Sequence, residues 1–241
     1  MDALIYTAQS GAERAMRAQQ VHANNLANVE TPGFRADLEL ATAYQVPGYG
    51  FDARHMSRLQ ADTLSARQGA VRETGRDLDV AVQDQGYLAV QWQNGEAYTR
   101  AGGLTVGGDG ALTVNGRAVL GDGGPIVLPP YISMSIAEDG TISVQEPGQA
   151  SMQPVDRLKL VRPEPGSVTK NEAGLVVSRD GMPLPSDPTV TVASGHLEGS
   201  NVSAVEEMVA TMSLSRDFEI QMKLFKAADG MAEAGNRLIR D

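Results

Sequence analysis

The sequence predicts a mainly β protein with α-helical termini, its N- and C-terminal helices pairing as a coiled-coil-like layer around a central antiparallel β domain. Three observations lead there. Of the 12 prolines, all but Pro32 fall between residues 34 and 200, together with most of the 26 glycines. Within that stretch, short alternating apolar–polar segments are separated by Asn-Gly and Asp-Gly pairs, which tolerate the positive φ angles of tight hairpins. On either side lies a proline-free segment with apolar residues at helical spacing.

The first helix is expected over about residues 3–28. Its seam follows Ile5, Ala8, Ala12 and Ala15, passes through the polar Gln19 and His22, and resumes at Leu26 and Val29. Small residues permit close approach of a second helix, but they bury too little apolar surface to hold this one alone. Polar seam residues fix register at a cost in stability. Thr31 precedes Pro32 and is pushed out of the α region, so the helix ends near Asn28 and Pro32-Gly33 turns the chain.

Residues 34–76 are less regular and read as an extended or loop-like linker, broken at Pro47-Gly48 and Gly50. The β domain follows over 77–200. Its clearest strands are Leu78–Val82, Tyr87–Val90, Leu112–Val114, Met134–Ile136 and Thr189–Val192. Turns are expected at Asn94-Gly95, Asp109-Gly110, Asn115-Gly116, Asp139-Gly140 and Asp180-Gly181. Alternation places Asp77 and Asp79 in solvent beside Leu78 and Val80.

The last element, over 201–241, is a long helix. Ser203 and Glu206 have capping-box spacing, with Ser200 and Asn201 as alternative caps. Val205, Met208, Met212, Met222, Phe225 and Ala232 trace a near-heptad face with Phe218 on its flank. Arg216–Glu219 and Glu219–Lys223 add charge pairs at helical spacing. The partition is therefore 1–33, 34–76, 77–200 and 201–241.

Composition narrows the function. At 241 residues the chain can bury a sizeable core. A net charge of −10, with 20 basic residues scattered among 30 acidic ones, argues against nucleic acid. There are no cysteines, which removes disulfides, thiolate metal sites and Cys nucleophiles. No apolar run is long enough for direct membrane insertion, and the charged N-terminal segment does not resemble a cleaved signal peptide.

The search for chemistry yields no catalytic residue, no metal ligand set and no cofactor. His22, His55 and His196 share no ligand spacing, and His22 reads as a helix-seam residue. Asp77, Asp79 and Asp84 lack calcium-loop spacing. Glu138-Asp139 are strand neighbours pointing to opposite faces, and Asp139 belongs to a turn. The glycines around Gly102 and Gly107 lack the lysine of a phosphate loop.

One segment is specific. Asn24-Asn25-Leu26-Ala27-Asn28-Val29-Glu30-Thr31-Pro32-Gly33-Phe34-Arg35 resembles the N-terminal signature of bacterial flagellar rod and hook proteins. Leu197-Glu198-Gly199-Ser200-Asn201-Val202, followed by Glu206-Glu207-Met208 and Arg216-Asp217-Phe218-Glu219, is similar to the family's C-terminal motif. Between them Leu78–Val82, Gly86–Val90, Tyr98-Thr99-Arg100-Ala101-Gly102 and Asp109–Leu112 resemble its β domain. The Met1-Asp2 start, Ile5–Ala8 and Arg157–Val161 favour a proximal-rod member, with a distal-rod member as the alternative.

The resemblance implies a structural subunit of the basal-body rod that transmits torque from motor to hook and is not an enzyme. It implies export without a cleaved signal through the flagellar type III apparatus, and assembly in the periplasmic rod with proximal and distal rod proteins and with copies of itself. Terminal helices that pair only when neighbours supply a partner face would generate helical arrays through heterologous contacts. The expected assembly interface comprises Ile5, Ala8, Ala12, Ala15, Asn24, Asn25, Leu26, Asn28, Pro32, Gly33 and Phe34 from the first helix and its turn. From the second come Asn201, Val202, Val205, Met208, Met212, Arg216, Phe218, Met222 and Phe225. The rival from another class is a secreted all-β glycan-binding or glycan-cleaving protein, which needs an aromatic-lined groove that Trp92, 6 Tyr and 4 Phe supply poorly.

Overall fold

The structure is a computed structural model that describes residues 2–45, 55–93 and 95–240. The chain forms two compact units. One combines Met1–Ala27, Asp37–Thr63 and Ser203–Asp241; the other combines Asn28–Ala36 and Leu64–Val202.

The first unit contains helix α1 (Asp2–Ala27), strands β1 (Asp37–Gln45) and β2 (His55–Leu64), which form a two-stranded sheet, and helix α2 (Ala204–Arg240). α1 has no proline, and its one internal glycine, Gly11, costs about 1 kcal/mol relative to alanine, so 26 residues continue unbroken. α2 opens as its cap spacing predicts: Ser203 Oγ accepts from the Glu206 backbone N–H at 3.4 Å. Glu206 and Glu207 then place negative charge in the first turn, where the helix dipole favours it. The linker expected over 34–76 instead contributes strands to both units. Asp37–Leu40 alternates as a strand should, but Ala41-Thr42-Ala43 blurs the pattern beyond it. Pro47-Gly48 and Gly50, read as breakers, lie outside the described residues, as does Asn94.

The second unit is β throughout, and each strand pair whose register is described in it is antiparallel. Its largest sheet has five strands in the order Leu160–Val161, Tyr87–Trp92, Gly95–Thr99, Val176–Ser178, Val168–Lys170. Two three-stranded sheets run through Ser133–Ile136, Thr141–Gln145 and Gln153–Arg157, and through Leu104–Val106, Leu112–Val114 and Arg117–Ala118. Asn115 and Gly116 turn between two of these strands with φ of 50° and 76°, the double positive φ that the Asn-Gly pair predicts. Leu88, Leu104, Leu112, Ile126, Ile142 and Leu158 form the fully buried centre. Each is worth about 1.5–3 kcal/mol relative to leaving it in water.

Two strand readings change. Regular pairing begins at Val80 rather than Leu78, because Asp79 closes a turn on the Arg76 carbonyl. Asp79 is therefore buried instead of solvent-facing, and Arg76 Nη1 reaches its carboxylate at 3.2 Å. The strand expected over Thr189–Val192 is Val192–Ser194, shifted past Thr189, whose N–H and hydroxyl are both taken by the Asp187 side chain, and a further strand, His196–Glu198, follows it.

Candidate assembly interface

α1 and α2 pack against each other within the chain. Asn25 and His22 meet Glu207, and a Cβ on Gly11 would stand 2.9 Å from Gln221 Cδ. Residues late in α1 thus oppose residues early in α2, and the pair is antiparallel. This differs from the expectation that the helices pair only when neighbouring subunits supply the partner.

Ala8 and Ala15 are buried, as expected for the seam, but so are Ala18 and Asn25. Ala12, Gln19 and Leu26 are only half-buried. The second row of the seam is Gly11, Ala18, Asn25, one position away from the more apolar Ala12, Gln19, Leu26. Closeness decides the matter: the smallest side chains let the backbones approach, and the larger neighbours turn aside. Ile5 lies in α1 with its side chain outside the described residues.

α2 departs further from expectation. Its buried and half-buried side runs through Glu207, Thr211, Leu214, Phe218, Gln221 and Ala228. The predicted apolar face lies elsewhere: Val205 is 67% exposed, Met208 48%, Met212 60% and Met222 46%, while Phe225, one heptad beyond Phe218, falls on the α1 side and is 38% exposed. Val205 with Met212, and Met208 with Met222, are separated by whole heptads, so these side chains form one continuous face. Val209, Ile220 and Leu224 widen the exposed apolar surface, and Arg216 is exposed beside it. The strongest apolar row of the helix is left in water by the chain's own fold.

The asparagines of the signature act as backbone substitutes. Asn25 Oδ1 accepts from Asp37 N–H at 2.9 Å, while its Nδ2 donates to the Asp37 carbonyl at 3.1 Å and to Glu207 Oε1 at 3.2 Å. One buried amide thereby ties the first residue of β1 to both helices. Asn24 Nδ2 reaches the Asp37 carboxylate at 3.2 Å. In the second unit Thr31 N–H donates to the Asn28 carbonyl, and its hydroxyl to Asn28 Oδ1. Asn201 Oδ1 accepts from Ala36 N–H at 2.7 Å, and its Nδ2 donates to the Arg67 carbonyl at 2.8 Å. Pro32 is exposed, Val202 half-buried, and the Phe34 ring lies 4.0 Å below Lys170 Nζ.

Sequence reasoning missed the strongest electrostatic feature of the second unit. Glu198, 2% exposed, receives Arg35 Nη2 at 2.9 Å, Arg100 Nε at 2.6 Å and Gly69 N–H at 2.9 Å. Arg100 Nη1 donates to the carbonyls of Asp84 and Gly86 and its Nη2 to that of Val82, and the guanidinium stands over the Tyr87 ring at 5.7 Å. Burial lowers the Arg35 pKa, and Arg100 pushes the same way against the pull of Glu198. Burial likewise raises that of Tyr87. Gly33 sits at φ +70°, with its N–H on the Glu198 carbonyl, so close to the Arg100–Ala101 peptide that a Cβ would lie 2.2 Å from Ala101 N. This is a clasp: it holds the segment leaving Asn28, the strand ending at Glu198 and the body strand ending at Thr99 at one point. Arg35, Arg100 and Glu198 all stand within the motifs quoted above, as lone charges among small or apolar neighbours; that was the available signal.

Among the described residues no group of three or more His, Asp and Glu is placed to hold a metal ion, and no helix is long and apolar enough to cross a membrane. What the described surface offers is the exposed apolar face of α2.

Three family models match in chain order: the flagella basal body rod protein over residues 5–35, the flagellar hook protein FlgE/F/G D1 domain over 81–144, and the flagellar basal body rod FlgEFG protein C-terminal region over 193–238. The chain is 40% identical to the flagellar basal-body rod protein FlgF of Salmonella typhimurium and to that of Escherichia coli, over 99% of this chain and 99% of each relative. It is 28% identical to the rod protein FlgG of Caulobacter vibrioides, over 97% of this chain and 98% of that protein.

Proposed function

The chain belongs to the flagellar basal-body rod protein family, and from that premise we propose that it occupies the proximal rod and assembles there through the exposed face of α2. It is a structural subunit of the flagellar basal body rather than an enzyme. The 40% identity to the FlgF proteins of Salmonella typhimurium and Escherichia coli, against 28% to the FlgG of Caulobacter vibrioides, supports the proximal position.

The observation that carries the assembly reading is the apolar row Val205, Met208, Met212 and Met222, which the chain's own α1 leaves uncovered. A face of this kind gains about 25 cal/mol per Å² when a neighbour covers it. α1 and α2 supply a coiled-coil-like pair as the building block. Arg216 borders the same face, while Phe225 stands on the α1 side of the helix, and Ala8, Ala15 and Asn25 act inside the pair, setting its spacing and register. Asn28, Pro32, Gly33, Phe34, Asn201 and Val202 act one step back, by fixing the chain passages that lead from and to the helices. The subunit's partners are other rod subunits, and copies of itself fit the same heterologous geometry. Export through the flagellar type III apparatus, without a cleaved signal, to the periplasmic rod completes the reading.

The test is the length of rod in basal bodies purified from cells lacking this chain. Rods that stop short of the distal segment are the expected result. Full-length rods would remove the chain from the proximal position.

A further inference from the structure

With no cysteine and 10 methionines, the chain's sulfur chemistry is that of the thioether alone. The methionines divide sharply by environment. Met134 is 5% exposed in the β core. Met152 is 43% exposed and accepts a hydrogen bond from Ser135 Oγ at 3.2 Å. Met16 and Met182 lie off α2 and are 53% and 66% exposed, while Met231, 55% exposed, stands one heptad beyond Leu224 on the wider apolar side of that helix. Met208, Met212 and Met222 are different: all are exposed, and all stand on one face of α2 with Val205.

We propose that Met208, Met212 and Met222 form a sulfoxidation site, at which a two-electron oxygen donor of the hypochlorous acid class turns the apolar face of α2 polar and blocks docking of a neighbouring subunit. In each event the thioether sulfur gives up two electrons and gains one oxygen atom. Hypochlorous acid is reduced to chloride and releases its proton to water. The product side chain is polar and chiral, and it presents an acceptor oxygen where a neighbour would bring hydrocarbon. Assembly itself protects the row by excluding the oxidant, so the vulnerable species is the unassembled chain. A methionine sulfoxide reductase reverses the change, which makes it a reversible block rather than a lesion.

The consequence for docking rests on the assembly reading above; the chemistry does not. In purified full-length chain titrated with hypochlorous acid and mapped by peptide mass, Met208, Met212 and Met222 are expected to gain one oxygen each while Met134 remains unmodified. Oxygen uptake at Met134 as fast as on α2 would overturn the site and leave the assembly reading standing. For the consequence, chains carrying Met208→Gln, Met212→Gln and Met222→Gln together are compared in basal bodies with the matching triple change to Leu. A third chain carries Met16→Gln and Met182→Gln, neither of them on α2. The Leu chain and the off-face Gln chain are expected to incorporate, and the on-face Gln chain to be lost from the rod with its circular dichroism as an isolated chain unchanged. Incorporation of the on-face Gln chain, or loss of the Leu chain, would overturn the argument from polarity.

Discussion

Glu198 receives two arginines at once, so a change there leaves two buried cations facing little but carbonyl oxygens. Glu198→Gln is expected to lower the stability of the β unit by about 3–5 kcal/mol, the usual loss when one member of a buried ionic group is removed. Urea unfolding followed by Trp92 fluorescence measures it, and an unchanged midpoint would refute the clasp. Gly33→Ala should cost more than about 1 kcal/mol in the same assay, because the residue combines φ +70° with a backbone contact that no Cβ can share. Tyr98 gives a pH signature. Burial raises its pKa from 10.0 to about 12, against the opposing pull of the Leu184 N–H, which donates to its hydroxyl at 2.6 Å. The folded state therefore holds the proton that the unfolded state has already lost. This contribution to stability is complete below about pH 10 and disappears as the pH rises toward about 12. An alkaline unfolding series should show the decline in the native chain and a shallower one in Tyr98→Phe.

At the scale of elements, α2 has two faces with different tasks. Met212→Asp should change the stability of the isolated chain by no more than about 0.5 kcal/mol, as expected of an exposed site, and still remove the chain from basal bodies. Gly11→Leu should do the opposite kind of damage: it forces the helices apart at Gln221 and lowers thermal stability by about 1–3 kcal/mol, read by circular dichroism. Both helices were legible from periodicity, and so was the Ser203 cap. Which side of each helix meets the other was not. In α1, Ala12 and Leu26 outscore Gly11 and Asn25 in apolarity, yet closeness of approach and the Asn25–Glu207 bond select the smaller and more polar row. In α2, the largest apolar row is the exposed one, and periodicity alone does not tell an internal partner from an external one. β1 and β2 escaped notice because strand pairing needs no strong alternation when polar side chains flank it. The clasp escaped for another reason: Arg35, Arg100 and Glu198 are brought together only by the fold, and each alone looks like a surface charge.

Across the whole molecule the two units divide the work. The β unit carries the apolar core and the clasp, and needs nothing from outside to bury its centre. The helical unit buries small residues in its own seam and presents its large apolar residues to solvent, which suits a subunit whose fold is finished by its neighbours. The absence of cysteine allows that claim to be tested with single introduced thiols. A cysteine at Met212 should react with a water-soluble maleimide in the free chain and be shielded in purified basal bodies, while one at Asp109, in an exposed β turn, serves as the labelling control in both. Protection confined to Met212 is the result this account expects; equal labelling of Met212→Cys in the free chain and in the basal body would contradict it.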